Sequence, residues 1–353
     1  MNWQLEGPII PVWVWRSHLK RAVGFQNGAI LWRPMEARDW RDFDADRLPD
    51  DAHTLVLVHG TGLRTEPGFR GLSREDYWRL RGLYGDRILA FEHKALANSV
   101  DRNARDLVRG LVAGGVHLKL DLVGLSRGGL IARRVTEGWV DDEPGIERLE
   151  LRKLIFVGTP NGGTPSARRD PIGRGWREMK AWRTDVRRLT LVNVRDREVE
   201  TVEDPHSLPG FVPGEKGRLG LWPMLLGTQD QLPMSAVLQE LNGFVRPTPG
   251  RVRSIRYFGI ASVFTFEHGA PNKQLLPDRC RRQITDWALG AAPNDLVVPT
   301  RSVFAPLQGE HASGLFPLVK EQLMVLGPRS NATHTSLMLT AGVRRRIVDW
   351  LAD

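Results

Sequence analysis

A chain of 353 residues, 41% hydrophobic and 26% charged, has a normal globular composition and enough length to bury a large core. Its 50 Lys and Arg against 41 Asp and Glu leave a formal charge of +9, scattered along the chain without an aromatic-and-basic motif, which sets nucleic acid aside as a partner. A single cysteine, Cys280, excludes an intrachain disulfide and a thiolate zinc cluster, and points to a reducing compartment, the cytoplasm.

The first fifty residues hold short β-type runs at 10–15 and 29–32, and are expected to form an N-terminal extension, residues 1–51, of edge strands or a cap. The apolar stretch at 9–15 is short, contains Pro11 and follows no basic start, so neither a signal peptide nor a membrane span is expected. At residue 54 the rhythm changes. Thr54-Leu55-Val56-Leu57-Val58 is a continuous apolar run, the pattern of a strand buried on both faces. Similar runs follow at 87–91, 118–123, 153–157, 254–260 and 322–326, with helical spacing at 103–111, 129–138 and 341–351 between and after them. This alternation predicts an α/β fold: a mostly parallel sheet of about eight strands with helices on both faces. From about 164 to 253 the chain is rich in Arg, Pro, Gly and Trp and has no strong strand. A structureless loop of that length suits a compact domain poorly, so an inserted lid is expected there.

The chemistry centres on Gly124-Leu125-Ser126-Arg127-Gly128, which follows one buried strand directly and precedes a helix. In such a strand-turn-helix the glycines are needed because a side chain would strike the neighbouring strand or helix. Ser126 is then held in a strained turn, its hydroxyl exposed as a nucleophile, with a helix N-terminus beneath it. Acyl transfer also needs two N–H donors aimed at the oxyanion. One is expected from Arg127. The other is expected from the loop after the first strong strand, His59-Gly60-Thr61-Gly62, at Thr61.

Three segments together resemble bacterial lipases and related α/β-hydrolase esterases: 55–60, the turn at 124–128, and Gly158-Thr159-Pro160-Asn161-Gly162-Gly163-Thr164. The last is similar to the Gly-Thr-Pro-His-x-Gly-Ser stretch of those enzymes, with Asn161 for the usual His and Thr164 for the usual Ser. Gln229-Asp230-Gln231-Leu232-Pro233-Met234-Ser235 is similar to the end of a lipase lid. The resemblance implies an α/β-hydrolase domain over 52–353, with the lid inserted at about 164–253. It further implies a triad in the chain order Ser, acid, His. Asn294-Asp295-Leu296-Val297-Val298-Pro299 resembles the lipase Asp-Gly-Val-Val-Pro segment, which makes Asp295 the acid and puts Leu296 where Gly is familiar. Asp286 is the alternative, in surroundings that read as helix. Beyond Asp295 lie only His311 and His334. His334 is favoured as the base because it stands between the last apolar run and the C-terminal helix, whereas no strand precedes His311 to hold it rigid.

No metal-ligand spacing and no nucleotide-phosphate loop is present, so no metal and no cofactor is expected. The implied activity is hydrolysis of a small-molecule or lipid ester through an acylated Ser126. Apolar residues of the insertion, Trp222, Leu225, Leu226 and Met234, suit an acyl substrate or ordinary packing equally. The basic balance allows peripheral contact with an anionic membrane, although a solvated Arg-rich surface explains it more simply. Transacylation, amide or thioester cleavage would use the same residues, and an idle fold serving as a binding module is the alternative of a different class.

Overall fold

The computed structural model describes residues 28–31, 41–42, 49–61, 68–69, 71–85, 87–95, 98–164, 190–192, 199–201, 229–244, 255–264, 292–304, 318–330 and 332–353. Six strands run parallel: β3 (Ala52–Val58), β4 (Ile88–Glu92), β5 (Leu118–Leu125), β6 (Leu149–Val157), β9 (Arg256–Ser262) and β10 (Leu323–Leu326). Two short strands, β1 (Gly28–Leu31) and β2 (Arg41–Asp42), extend the β4 edge in antiparallel fashion. The sheet order is β10-β9-β6-β5-β3-β4-β1-β2. All six apolar runs of the sequence are strands, each within a few residues of its expected bounds. The run at 10–15 lies outside the described residues.

Each central strand alternates its side chains between two cores. Val56 and Val58 face one side, where α2 (Val100–Val112) supplies Ala104, Leu107 and Leu111, and α3 (Arg127–Thr136) supplies Leu130, Ile131 and Val135. Leu55 and Leu57 face the other, against Tyr77, Leu80 and Tyr84 of α1 (Arg74–Tyr84) and Val343, Ile347 and Trp350 of α6 (Ala341–Ala352). Helix α1 was not foreseen. Its signals are present all the same: Ser73 and Asp76 form a reciprocal capping box, and Tyr77, Leu80 and Tyr84 recur at helical spacing.

This is the α/β-hydrolase fold. After β3 the chain steps outward to β4, then returns across β3 to lay down β5 on its other side. The order therefore reverses between β3 and β5, and a crevice opens at their carboxyl ends, the place where open α/β sheets take ligands. The expected insertion at about 164–253 falls largely outside the described residues, Trp222, Leu225 and Leu226 included. Within it, β7 (Thr190–Val192) and β8 (Val199–Thr201) pair antiparallel as a separate small sheet, where the sequence offered no strong strand. Helix α4 (Ala236–Gln239) follows at its far end, capped by Ser235. Among the described residues no helix is long and apolar enough to cross a membrane.

Candidate functional site

Ser126 sits where β5 turns into α3, at φ 53° and ψ −128°, a region that favours glycine and is strained for serine. Two glycines make the turn feasible. A Cβ on Gly124 would stand 2.4 Å from Gly129 Cα, and one on Gly128 would stand 2.1 Å from the Val58 carbonyl oxygen. The Ser126 N–H donates to the Val157 carbonyl at 2.8 Å, pinning the turn to β6. Ser126 as a whole residue is 6% exposed, with Gly60 and His334 against it.

His334 opens a 3₁₀ turn, His334–Leu339, between β10 and α6. Its Nε2 lies 2.9 Å from Ser126 Oγ and its Nδ1 lies 2.7 Å from Asp295 Oδ2. A carboxylate can only accept, so Nδ1 carries the proton and Nε2 is left to accept from the serine hydroxyl. The His334 N–H also donates to the Asp295 carbonyl at 2.8 Å, so ring and backbone are held by one residue.

Asp295 is buried, and its second oxygen, Oδ1, accepts from the N–H groups of Val297 and Val298 at 3.0 and 2.7 Å. The tight loop that makes this possible holds Leu296 at φ 79°, the left-handed region that favours glycine. Leu296 tolerates it through burial against Phe264 and an N–H bond to Asn294 Oδ1 at 2.8 Å. Asp286 and His311 lie outside the described residues.

Both expected oxyanion residues lie next to the serine's surroundings, Arg127 by sequence and Thr61 through Gly60. Gly60 abuts the serine so closely that a Cβ there would lie 2.8 Å from Ser126 Cβ and 3.4 Å from Oγ. Thr61 follows it. His59 Nε2 accepts from the His93 N–H at 3.2 Å, which leaves the proton on Nδ1 to donate to the Gly60 carbonyl at 3.0 Å. That carbonyl and the Thr61 N–H belong to one trans peptide and point in opposite directions, so His59 orients both. Arg127 is the first residue of α3, and the N–H groups of a helix's first turn have no acceptor within the helix. Its guanidinium is buried beneath the site, donates to the Asn98 carbonyl at 2.7 Å and lies 3.8 Å from Asp230 Oδ2. Burial pushes it down to about 10, partly offset by Asp230, so it remains a cation at neutral pH. His93, buried beside His59 and Arg127, is held well below the usual imidazole range and stays neutral.

A serine so placed can pass its proton to a neutral imidazole whose imidazolium form a buried carboxylate stabilises. Among the described residues no group of three His, Cys, Asp or Glu is placed to hold a metal ion. The part of the site that sequence reasoning missed is Gln231, whose Nε2 donates to Thr61 Oγ1 at 2.8 Å. In the sequence its stretch is similar only to the end of a lipase lid.

A family described as a domain of unknown function (DUF7379) matches residues 27–352. No curated protein matches the chain. Solved structures that resemble it include a phospholipase, PlaB from Legionella pneumophila, at 14% identity and TM-score 0.42, over 71% of this chain and 45% of that one. Another is the lipase BlEst2 from Bacillus licheniformis in propeptide form, at 15% identity and TM-score 0.42, over 92% and 53%. Lipase 1 from Pelosinus fermentans aligns at 13% identity and TM-score 0.49, over 86% and 98%. The chain thus spans about half the length of the first two.

Proposed function

We propose that this chain, which belongs to the DUF7379 family, is a serine hydrolase cleaving carboxylic esters through an acyl-enzyme on Ser126. The observation that carries this reading is the unbroken hydrogen-bonded chain from Asp295 through His334 to Ser126, 2.7 and 2.9 Å long, at the carboxyl edge of the sheet.

In the first half-reaction Ser126 Oγ attacks the ester carbonyl carbon while its proton passes to His334 Nε2. Asp295 keeps the imidazole in the accepting tautomer and stabilises the imidazolium. The oxyanion is met by the N–H groups of Thr61 and Arg127, with the α3 N-terminus and the Arg127 cation adding positive potential. Collapse breaks the bond to the alcohol oxygen, which leaves with the proton from His334. Water then gives its proton to the same nitrogen as its oxygen attacks the acyl carbon. The second collapse returns the proton to Ser126 and frees the acid.

The apolar residues that the sequence places in the insertion suit a lipid or other hydrophobic ester, with the insertion acting as a lid. The +9 charge suits peripheral contact with an anionic membrane, and the lone cysteine suits the cytoplasm. Reaction with a fluorophosphonate, followed by mass analysis, tests the site: a single adduct on Ser126 is expected. A panel of p-nitrophenyl esters, an amide and a thioester then reads the substrate class. A folded protein that neither labels nor turns over any of them would leave the binding-module reading in its place.

A further inference from the structure

The end of the insertion reaches the site. Asp230 and Gln231 are adjacent in the chain, and each reaches a different oxyanion residue. Asp230 lies 3.8 Å from the Arg127 guanidinium and accepts from the Val100 N–H, while the buried Gln231 side chain donates to Thr61 Oγ1 at 2.8 Å. The segment bearing them is itself anchored. The Gln231 carbonyl accepts from the Thr164 N–H at 2.8 Å, and Ser235 Oγ donates to the Asp230 carbonyl at 2.9 Å. Pro233 packs so closely on Gly163, at φ 85°, that a Cβ there would lie 2.6 Å from its Cα.

Thr61 needs such an anchor. It stands beyond the end of β3 at Val58, directly after Gly60, so the sheet ladder that fixes the strand does not extend to it. His59 orients the peptide from the β3 side only. An oxyanion donor works by being fixed before charge develops, and a misplacement of about 1 Å can cost on the order of 10²-fold in rate. We infer that Gln231 is a positioning residue of the oxyanion site, holding Thr61 through its hydroxyl so that the Thr61 N–H meets the developing charge. The inference rests on the esterase reading above.

A double-mutant cycle on the full chain tests it, using p-nitrophenyl ester turnover with melting as a control. Gln231→Ala should lower kcat about tenfold or more with little change in KM, because the tether acts on the transition state. Thr61→Val removes the acceptor while keeping the N–H and the shape, and should lose as much. The double variant should be no worse than either single one, and Thr61→Ser, which keeps a hydroxyl, should be several-fold more active than Thr61→Val. Multiplying losses, or a folded Gln231→Ala with wild-type kcat, would overturn the inference. Should Gln231→Ala melt early, the Thr61→Val and Thr61→Ser pair decides, and equal activity of the two counts against it. Wild-type protein that labels with fluorophosphonate keeps these outcomes separate from a failure of the esterase reading, since an unlabelled, inactive wild type would sink both together.

Discussion

Two of the aspartate–histidine pairs among the described residues stand toward opposite ends of the sheet, and their surroundings differ. At the carboxyl end Asp295 Oδ2 meets His334 Nδ1 at 2.7 Å. Toward the amino end Asp121 Oδ2 meets His53 Nε2 at the same 2.7 Å. The partners beyond the imidazole differ. His334 Nε2 reaches the strained Ser126, 2.9 Å from its Oγ. Among the described residues no serine, threonine or cysteine hydrogen-bonds to His53, whose Nε2 also lies 3.5 Å from the Arg152 guanidinium, and Asp121 takes a second hydrogen bond on the same oxygen, from Tyr84 Oη at 2.6 Å. The far oxygens differ as well. Asp295 Oδ1 is satisfied by two loop N–H groups, while Asp121 Oδ1 is buried with no hydrogen-bond partner among the described residues. A carboxylate beside an imidazole is therefore common structural currency. What distinguishes a reactive pair is the third group and the loop geometry that aims it.

Mutation should separate the two ends sharply. The largest effect is expected from Ser126→Ala and His334→Ala, each costing on the order of 10³–10⁶-fold in kcat. The double variant should be scarcely worse, because the residues act as one unit. Ester turnover beside thermal melting checks this, and full activity in folded His334→Ala would pass the base's role to His311. Next in size, Asp295→Asn should cost on the order of 10³–10⁴-fold while leaving the melting profile close to wild type. The amide can donate to Nδ1, which turns the imidazole into the tautomer unable to accept from Ser126. If turnover survives that change, Asp286 becomes the residue to mutate.

At the other end the balance inverts. Asp121→Ala should leave ester turnover within a few-fold of wild type but lower stability by about 1–3 kcal/mol, because Tyr84 Oη loses its buried acceptor. Urea unfolding measures it, and a collapse of kcat at full stability would mean that the amino-end pair serves the reaction after all. The smallest effect is a slope with pH. Burial, then the Asp121 charge, raises the Tyr84 phenol above its ordinary value of about 10. The folded state keeps the proton that the unfolded chain releases above about pH 10, so stability contributed below that pH is lost as pH rises further. Tyr84→Phe should flatten this alkaline loss, though not abolish it, since burial raises the Tyr257 phenol likewise. An unchanged slope would show that Tyr84 does not carry it.

Much of the reactive end was legible in one dimension. The elbow glycines, the strand before them and the helix after them are local features, and local sterics alone dictate them. Leu296 stands where Gly is familiar, and its positive φ is a conformation that suits glycine best. Helix α1 was missed because its mean pattern is polar, though its capping box was there to read. Gln231 could not be singled out, since a glutamine near a proline carries no periodic signal.

The sequence by itself determined the alternation of strands and helices, the turn that strains Ser126 and the short list from which its partners must come. Each of these depends on neighbours a few residues apart, through side-chain period or backbone sterics. Only the tertiary structure decided which members of that list meet. Ser126 and His334 are 208 positions apart, and Thr61 and Gln231 are 170 apart. Strand order and register bring such groups to hydrogen-bond distance or keep them at opposite ends of the sheet. That choice is a property of the packed sheet as a whole, because every crossover must bury its apolar face before any one of these contacts can form.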